Sequence, residues 1–189
     1  MSEIRRTGLT YADLEAIPDD GNRYEIIDGE LFVTPPPDLA HGWAGDTIVH
    51  LLRLYMRDHG GRGQSAPTGV FFDQGSHVEP DVLYTRQEHL HRFAADIRYV
   101  QGPPDLVVEV SSPSTRRTDL IRKRALYERH GVEEYWFVDR DHELVLVHQL
   151  VDGAYGDPFE VPRGQVVHAT AAPGFAVPVD DLFDAPGTS

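Results

Sequence analysis

Apolar residues recur at helical spacing through residues 38–59, where Trp43, Ile48, Leu51, Leu52 and Tyr55 fall on one face and Gly60-Gly61 supplies a stop. A shorter helix is predicted over residues 10–17, with Thr10 as its cap and Asp13 three residues on. Elsewhere the period shortens to that of strands. Residues 23–27 and 30–33 flank Asp28-Gly29, a strong two-residue hairpin signal, and prolines 35–37 end the second run. Residues 70–72 and 78–84 read as two strands joined by a turn at 73–76. Residues 86–101 fit a helix followed by a loop. Residues 105–110 form a nearly unbroken apolar run that ends in a carboxylate, the signature of a strand buried on both faces. In it Leu106, Val108 and Val110 face one way, and Val107 and Glu109 the other.

A basic helix is predicted over residues 118–130, stopped by Gly131. Strands at 134–138 and 144–150 follow, with a turn at 139–142, and then a β-ribbon over 151–167 turning near Gly153. This order predicts a mixed α/β fold with a central sheet. The expected organisation is a single domain over residues 1–183 and a short flexible tail over 184–189. At 189 residues the chain is long enough to bury a substantial core.

Composition narrows the chemistry. There are no cysteines, which excludes disulfides, zinc-thiolate sites and thiol catalysis. No apolar run approaches the ~18 residues needed to cross a bilayer, and residues 1–6 lead into no apolar signal core, so no membrane association and a cytoplasmic address are expected. The net charge of −14 argues against a domain that holds nucleic acid by bulk charge. Against sixteen arginines the chain has one lysine, Lys123. Lysine is a compact ammonium whose pKa shifts readily beside a nucleophile, so a sole lysine is a candidate for chemistry.

Glu109, set among apolar strand residues, costs several kcal/mol if ionised and unpaired, and therefore needs a partner, of which a metal ion is one and an arginine another. Asp81 and Glu109, with the backbone carbonyl of Val110, suit Mg2+ or Mn2+, which prefer one or two carboxylates and further oxygens. Asp119, Lys123 and Tyr127 share one helical stripe. Lys123 could serve the acids or form an ordinary surface pair with Asp119, worth ~0.3–0.5 kcal/mol. Arg116, Arg117, Arg122 and Arg124 form either a phosphate-binding strip or a solvated face. His89 and His91 fall in a polar stretch that would point them apart, which speaks against a metal pair. Ser111, Ser112 and Ser114 lack the Gly-x-Ser-x-Gly frame of a serine hydrolase, and Gly60-Gly61-Arg62-Gly63 lacks the lysine of a phosphate loop.

Several segments occur together, in order: residues 23–31, the proline run with His41, Glu79-Pro80-Asp81-Val82, residues 104–110, Ser112-Pro113-Ser114-Thr115, Asp119, Lys123 and Tyr127, Gly131-Val132, and residues 134–139. Taken together they resemble the widespread bacterial restriction-endonuclease family of the PD-(D/E)XK nuclease superfamily. The resemblance covers residues from about 10 to about 155. It implies a restriction-endonuclease-like mixed β-core flanked by helices, to which this chain adds an N-terminal hairpin and C-terminal strands. It also implies a magnesium-dependent endonuclease acting on DNA, with Asp81 and Glu109 as metal ligands, and a homodimer, since cutting a duplex requires two sites. The superfamily places lysine two residues after the second acid, where this chain has Ser111. The resemblance implies that the lysine has moved to the next helix, as Lys123. Glu25, His41 and Tyr127 are further candidate site residues. The rival expectation is a nuclease-fold module that binds DNA or protein without catalysis.

Overall fold

The computed structural model describes residues 7–36, 38–93 and 99–184. Asp28 and Gly29 both have positive φ, 54° and 77°, as a two-residue type I′ turn requires. They join β1 (Arg23–Ile27) to β2 (Glu30–Thr34) as the sequence predicts. Both helices are capped, the first by Thr10 as the sequence predicts. Thr10 and Asp13 form a capping box on α1 (Tyr11–Glu15), and Asp38 accepts the His41 N–H at 2.8 Å to open α2 (Leu39–His59).

The hairpin belongs to a five-stranded sheet in the order β2-β1-β5-β4-β7, with β4 at Gly69–Asp73, β5 at Ser76–Val78 and β7 at Tyr99–Gln101. A seven-stranded mixed sheet holds β3 (Arg62–Ser65), β6 (Val82–Thr85), β8 (Leu106–Val110), β9 (Glu134–Asp139), β10 (Leu144–Val151), β11 (Ala154–Tyr155) and β12 (Phe159–Pro162). Its order is β11-β10-β9-β8-β6-β3, with β12 also on β10. β8 lies parallel to β9 and antiparallel to β6. β13 (Val166–His168) and β14 (Ala176–Pro178) pair separately, before α4 (Asp180–Phe183).

Several elements depart from the sequence prediction. The single strand expected over 78–84 is two strands in two different sheets. The ladder breaks at Pro80, which has no N–H to give it, and Asp81 lies in the bend rather than in a strand. β3 and β7 go unpredicted because they are short and carry little apolar periodicity; their pairing is set by distant partners. Residues 87–92 form a 3₁₀ helix, and residues 94–98 of the predicted 86–101 segment lie outside the described residues. The ribbon turns at Gly153 as expected, but β13 leaves it for β14. Of the expected tail, 185–189 lie outside the described residues, while Asp184 is ordered by an ion pair with Arg163.

The predicted basic helix starts as a π turn (Thr118–Lys123) and continues as α3 (Arg124–His130), ending at Gly131 in the left-handed conformation. Alternation along β8 assigns its side chains to two cores. Leu106, Val108 and Val110 meet Ala44, Ile48 and Leu52 of α2, while Val107 meets Leu126 and Tyr127 of α3. Glu109 therefore points to the α3 side.

Two buried histidines are expected to make the fold acid-sensitive. Neither ring nitrogen of His148 has a hydrogen-bond partner, the ring stacks on Tyr135, and Nδ1 of His77 is likewise unpartnered. Burial pushes both down to about 4 from an ordinary 6.5. The unfolded chain protonates first on acidification, so this stability is complete above pH 6.5 and is lost as pH falls toward 4. The loss is on the order of 2–3 kcal/mol per histidine. Urea midpoints measured between pH 7 and 4.5 should show His148→Phe flattening the slope; an unchanged slope would reject the assignment.

Candidate active site

Pro80 ends the ladder next to β6, and this turns Asp81 back over the end of β8. Its Oδ2 accepts the Val110 N–H at 2.8 Å and lies 3.1 Å from His41 Nε2; its Oδ1 accepts from Arg23 Nη1 at 2.9 Å. Arg23 comes from β1 and His41 from the first turn of α2, so three elements converge on one carboxylate. Burial alone would raise the Asp81 carboxyl. The His41 hydrogen bond and the charges of His41, Arg23 and Lys123 outweigh it and hold the group at about 2.

Glu109 faces Glu25 and Asp119 across an ammonium. Lys123 Nζ donates to Glu109 Oε1 at 3.0 Å, lies 2.8 Å from Glu25 Oε1 and stands 3.7 Å from Asp119 Oδ1. Tyr127 donates its hydroxyl to Glu109 Oε1 at 2.5 Å. Glu25 also accepts the Glu79 N–H at 2.7 Å. Glu25, Glu109, Asp119 and Lys123 are each about 2% exposed, so water screens their charges little. Burial lifts Glu109 well above the usual carboxylate range, and Lys123 only partly offsets this. Burial likewise raises Asp119 to about 6 against the opposing pull of Lys123 and a hydrogen bond with Thr115. Burial would lower Lys123, but Glu109, Glu25 and Asp119 more than reverse this, and the amine stays charged.

Glu25, His41, Asp81, Glu109, Asp119 and Lys123 line a single cleft of about 180 Å³. The structure thus gathers Asp81, Glu109, Lys123, Glu25 and His41 in one place, with Tyr127 behind Glu109. The surface pair weighed for Asp119 and Lys123 is not what forms, since both are buried. Arg23 is a contributor that the sequence did not single out; only its place in the hairpin motif hinted at it. The arginine strip is largely engaged. Arg116 forms a bidentate pair with Asp139 at 2.5 and 2.6 Å, Arg122 meets Glu30 at 3.0 Å, and Arg124 meets Glu128 and the Tyr155 carbonyl. Arg117 is exposed. His89 is a partner of Asp105 at 2.6 Å.

Among the described residues, no group of three or more His, Asp or Glu side chains stands ready as a metal cluster. The donor chemistry nonetheless suits a hard divalent cation. Four buried carboxyls, Glu25, Asp81, Glu109 and Asp119, face two fixed cations, Arg23 and Lys123, which leaves two negative charges when all four are ionised. The β6–β8 ladder ends at Val82–Val108; carried two residues further, its register sets Val110 opposite Pro80, which has no N–H to offer the Val110 carbonyl. Two carboxylates and a backbone oxygen are the kind of set magnesium takes.

The profile of the Uma2 family, described as "Putative restriction endonuclease", matches residues 11–180. No curated protein matches the chain. Among solved structures, a protein from Anabaena variabilis titled "putative nuclease belonging to DUF820" superposes with a TM-score of 0.76 at 19% identity. The match covers 93% of this chain and 97% of that one, and it establishes the shared fold. No helix among the described residues is long and apolar enough to cross a membrane.

Proposed function

The chain belongs to the Uma2 family, and from that premise we propose that its cleft hydrolyses phosphodiester bonds in DNA, with water as the nucleophile and a divalent cation held by Asp81 and Glu109. Magnesium or manganese on these carboxylates and the Val110 carbonyl would polarise a phosphate oxygen and acidify a bound water. Lys123, kept charged by three neighbouring acids, offsets negative charge developing on the phosphate and orients the water. Arg23 and His41 keep Asp81 ionised and fixed toward the cleft. Tyr127 fixes Glu109 from behind.

One observation carries this reading. The chain's sole lysine is buried and lies 3.0 Å from Glu109, in the cleft that also holds Asp81, although the three residues are far apart in sequence. The direct test is incubation with supercoiled plasmid and with single-stranded oligonucleotides. Cleavage is expected with Mg2+ or Mn2+ and not with EDTA; no cleavage of either substrate with either ion would overturn the proposal. A duplex cut on both strands needs two such clefts, which a homodimer would supply.

A second reading has its own support: the Lys123 ammonium already sits on Glu109, and no described cluster awaits a metal. On that reading the fold binds DNA or a protein without catalysis. A silent calorimetric titration with both ions, together with DNA retention in a gel shift, would select it.

A further inference from the structure

Among the described side chains lining the cleft, Asp119 alone has a buried oxygen without a hydrogen-bond partner, its Oδ1. An unmet carboxylate oxygen at 2% exposure is costly and requires a reason. The backbone around it is fixed: the Asp119 N–H donates to the Thr115 carbonyl at 2.9 Å, and its own carbonyl accepts the Tyr135 hydroxyl at 3.2 Å. The Asp119 carboxyl is therefore carried on an anchored stretch of main chain. The group able to approach it is the Lys123 ammonium, which stands 3.7 Å from Oδ1 on a flexible four-carbon stem. A shift of Nζ on the order of 1 Å would bring it to hydrogen-bond distance.

That shift has a cause within the metal-dependent reading above, on which the inference rests. A divalent cation on Glu109 and the ammonium now on Glu109 Oε1 repel one another in a site from which water is largely excluded. Lys123 cannot leave the cleft without stranding Glu25 and Asp119. We propose that Asp119 is a positioning residue that receives the Lys123 ammonium when a divalent cation takes Glu109, so that both positive groups stay in the cleft. The ammonium then bridges Glu25 and Asp119, and Glu109 is released to the cation.

The sole lysine makes this directly observable. Lysine labelled with 15N gives one side-chain ammonium resonance in the intact protein, and diamagnetic Mg2+ can be titrated against it while calorimetry follows binding in the same buffer. In the wild type the resonance is expected to move as Mg2+ saturates. In Asp119→Asn the movement should be lost and Mg2+ should bind about ten-fold more weakly, in the range typical for groups that act on a metal through a ligand. In a Lys123→Met background the added Asp119→Asn should leave Mg2+ affinity unchanged, because Asp119 acts only through the lysine. Equal weakening in that background would make Asp119 a direct ligand and overturn the proposal. So would a resonance that stays still while Mg2+ saturates the wild type, a result that needs no variant to fold. Absence of Mg2+ binding to the wild type would instead remove the metal-dependent reading itself, and this inference with it.

Discussion

Replacing Glu109 with glutamine is expected to lower metal-dependent DNA cleavage by at least about 100-fold while leaving the protein folded. Burial already favours the neutral form of this carboxyl, and a glutamine oxygen can still accept from Tyr127 and Lys123. What the amide lacks is the negative charge a divalent cation requires. Asp81→Asn should lose cleavage to a similar extent but behave differently as a fold. Asp81 is held ionised, at about 2, and its loss breaks a buried pairing with Arg23 and His41. A destabilisation of about 3–5 kcal/mol is expected there. Single-turnover plasmid cleavage and urea unfolding, measured on the same preparations, separate the two effects. Near-normal turnover in Glu109→Gln would remove the proposed mechanism.

The largest effect outside the cleft is expected at Glu134, fully buried at the start of β9. Its Oε2 accepts from the Thr170 N–H, the Thr170 hydroxyl and the Ala171 N–H, each at 2.7 Å, and its Oε1 accepts from Trp136 Nε1 at 2.7 Å. This one carboxylate ties the segment between β13 and β14 to the main sheet. Glu134→Ala would leave four donors unmet, so a loss on the order of 4 kcal/mol is expected. That corresponds to roughly 10 °C in unfolding temperature for a chain of this size. Hydrogen exchange should rise most across β13 and β14. A melting temperature within a degree of the wild type would show that these bonds contribute little.

The sequence revealed local features well. The Asp28-Gly29 turn, the Thr10 cap and the alternation that points Glu109 away from Val108 all follow from residues within a few positions of one another. Lys123 stood out because it is the only lysine, and the family resemblance tied it to Asp81 and Glu109. What stayed hidden depends on long-range pairing. Arg23 reaches Asp81 across 58 positions, and Arg122 reaches Glu30 across 92. No hydrophobic period encodes such contacts. The break at Pro80 was visible as a residue, but its effect depends on there being two sheets for the chain to pass between. The burial of Asp119 was equally illegible, because its helical spacing to Lys123 suits an exposed pair just as well.

The passage through residues 79–81 couples the two sheets mechanically. The Glu79 N–H is fastened to Glu25 on one sheet, and the Asp81 carboxylate is fastened to the Val110 N–H on the other. Any sliding of one sheet past the other must pull on both fastenings, and through them on the spacing between Glu25, Asp81 and Glu109.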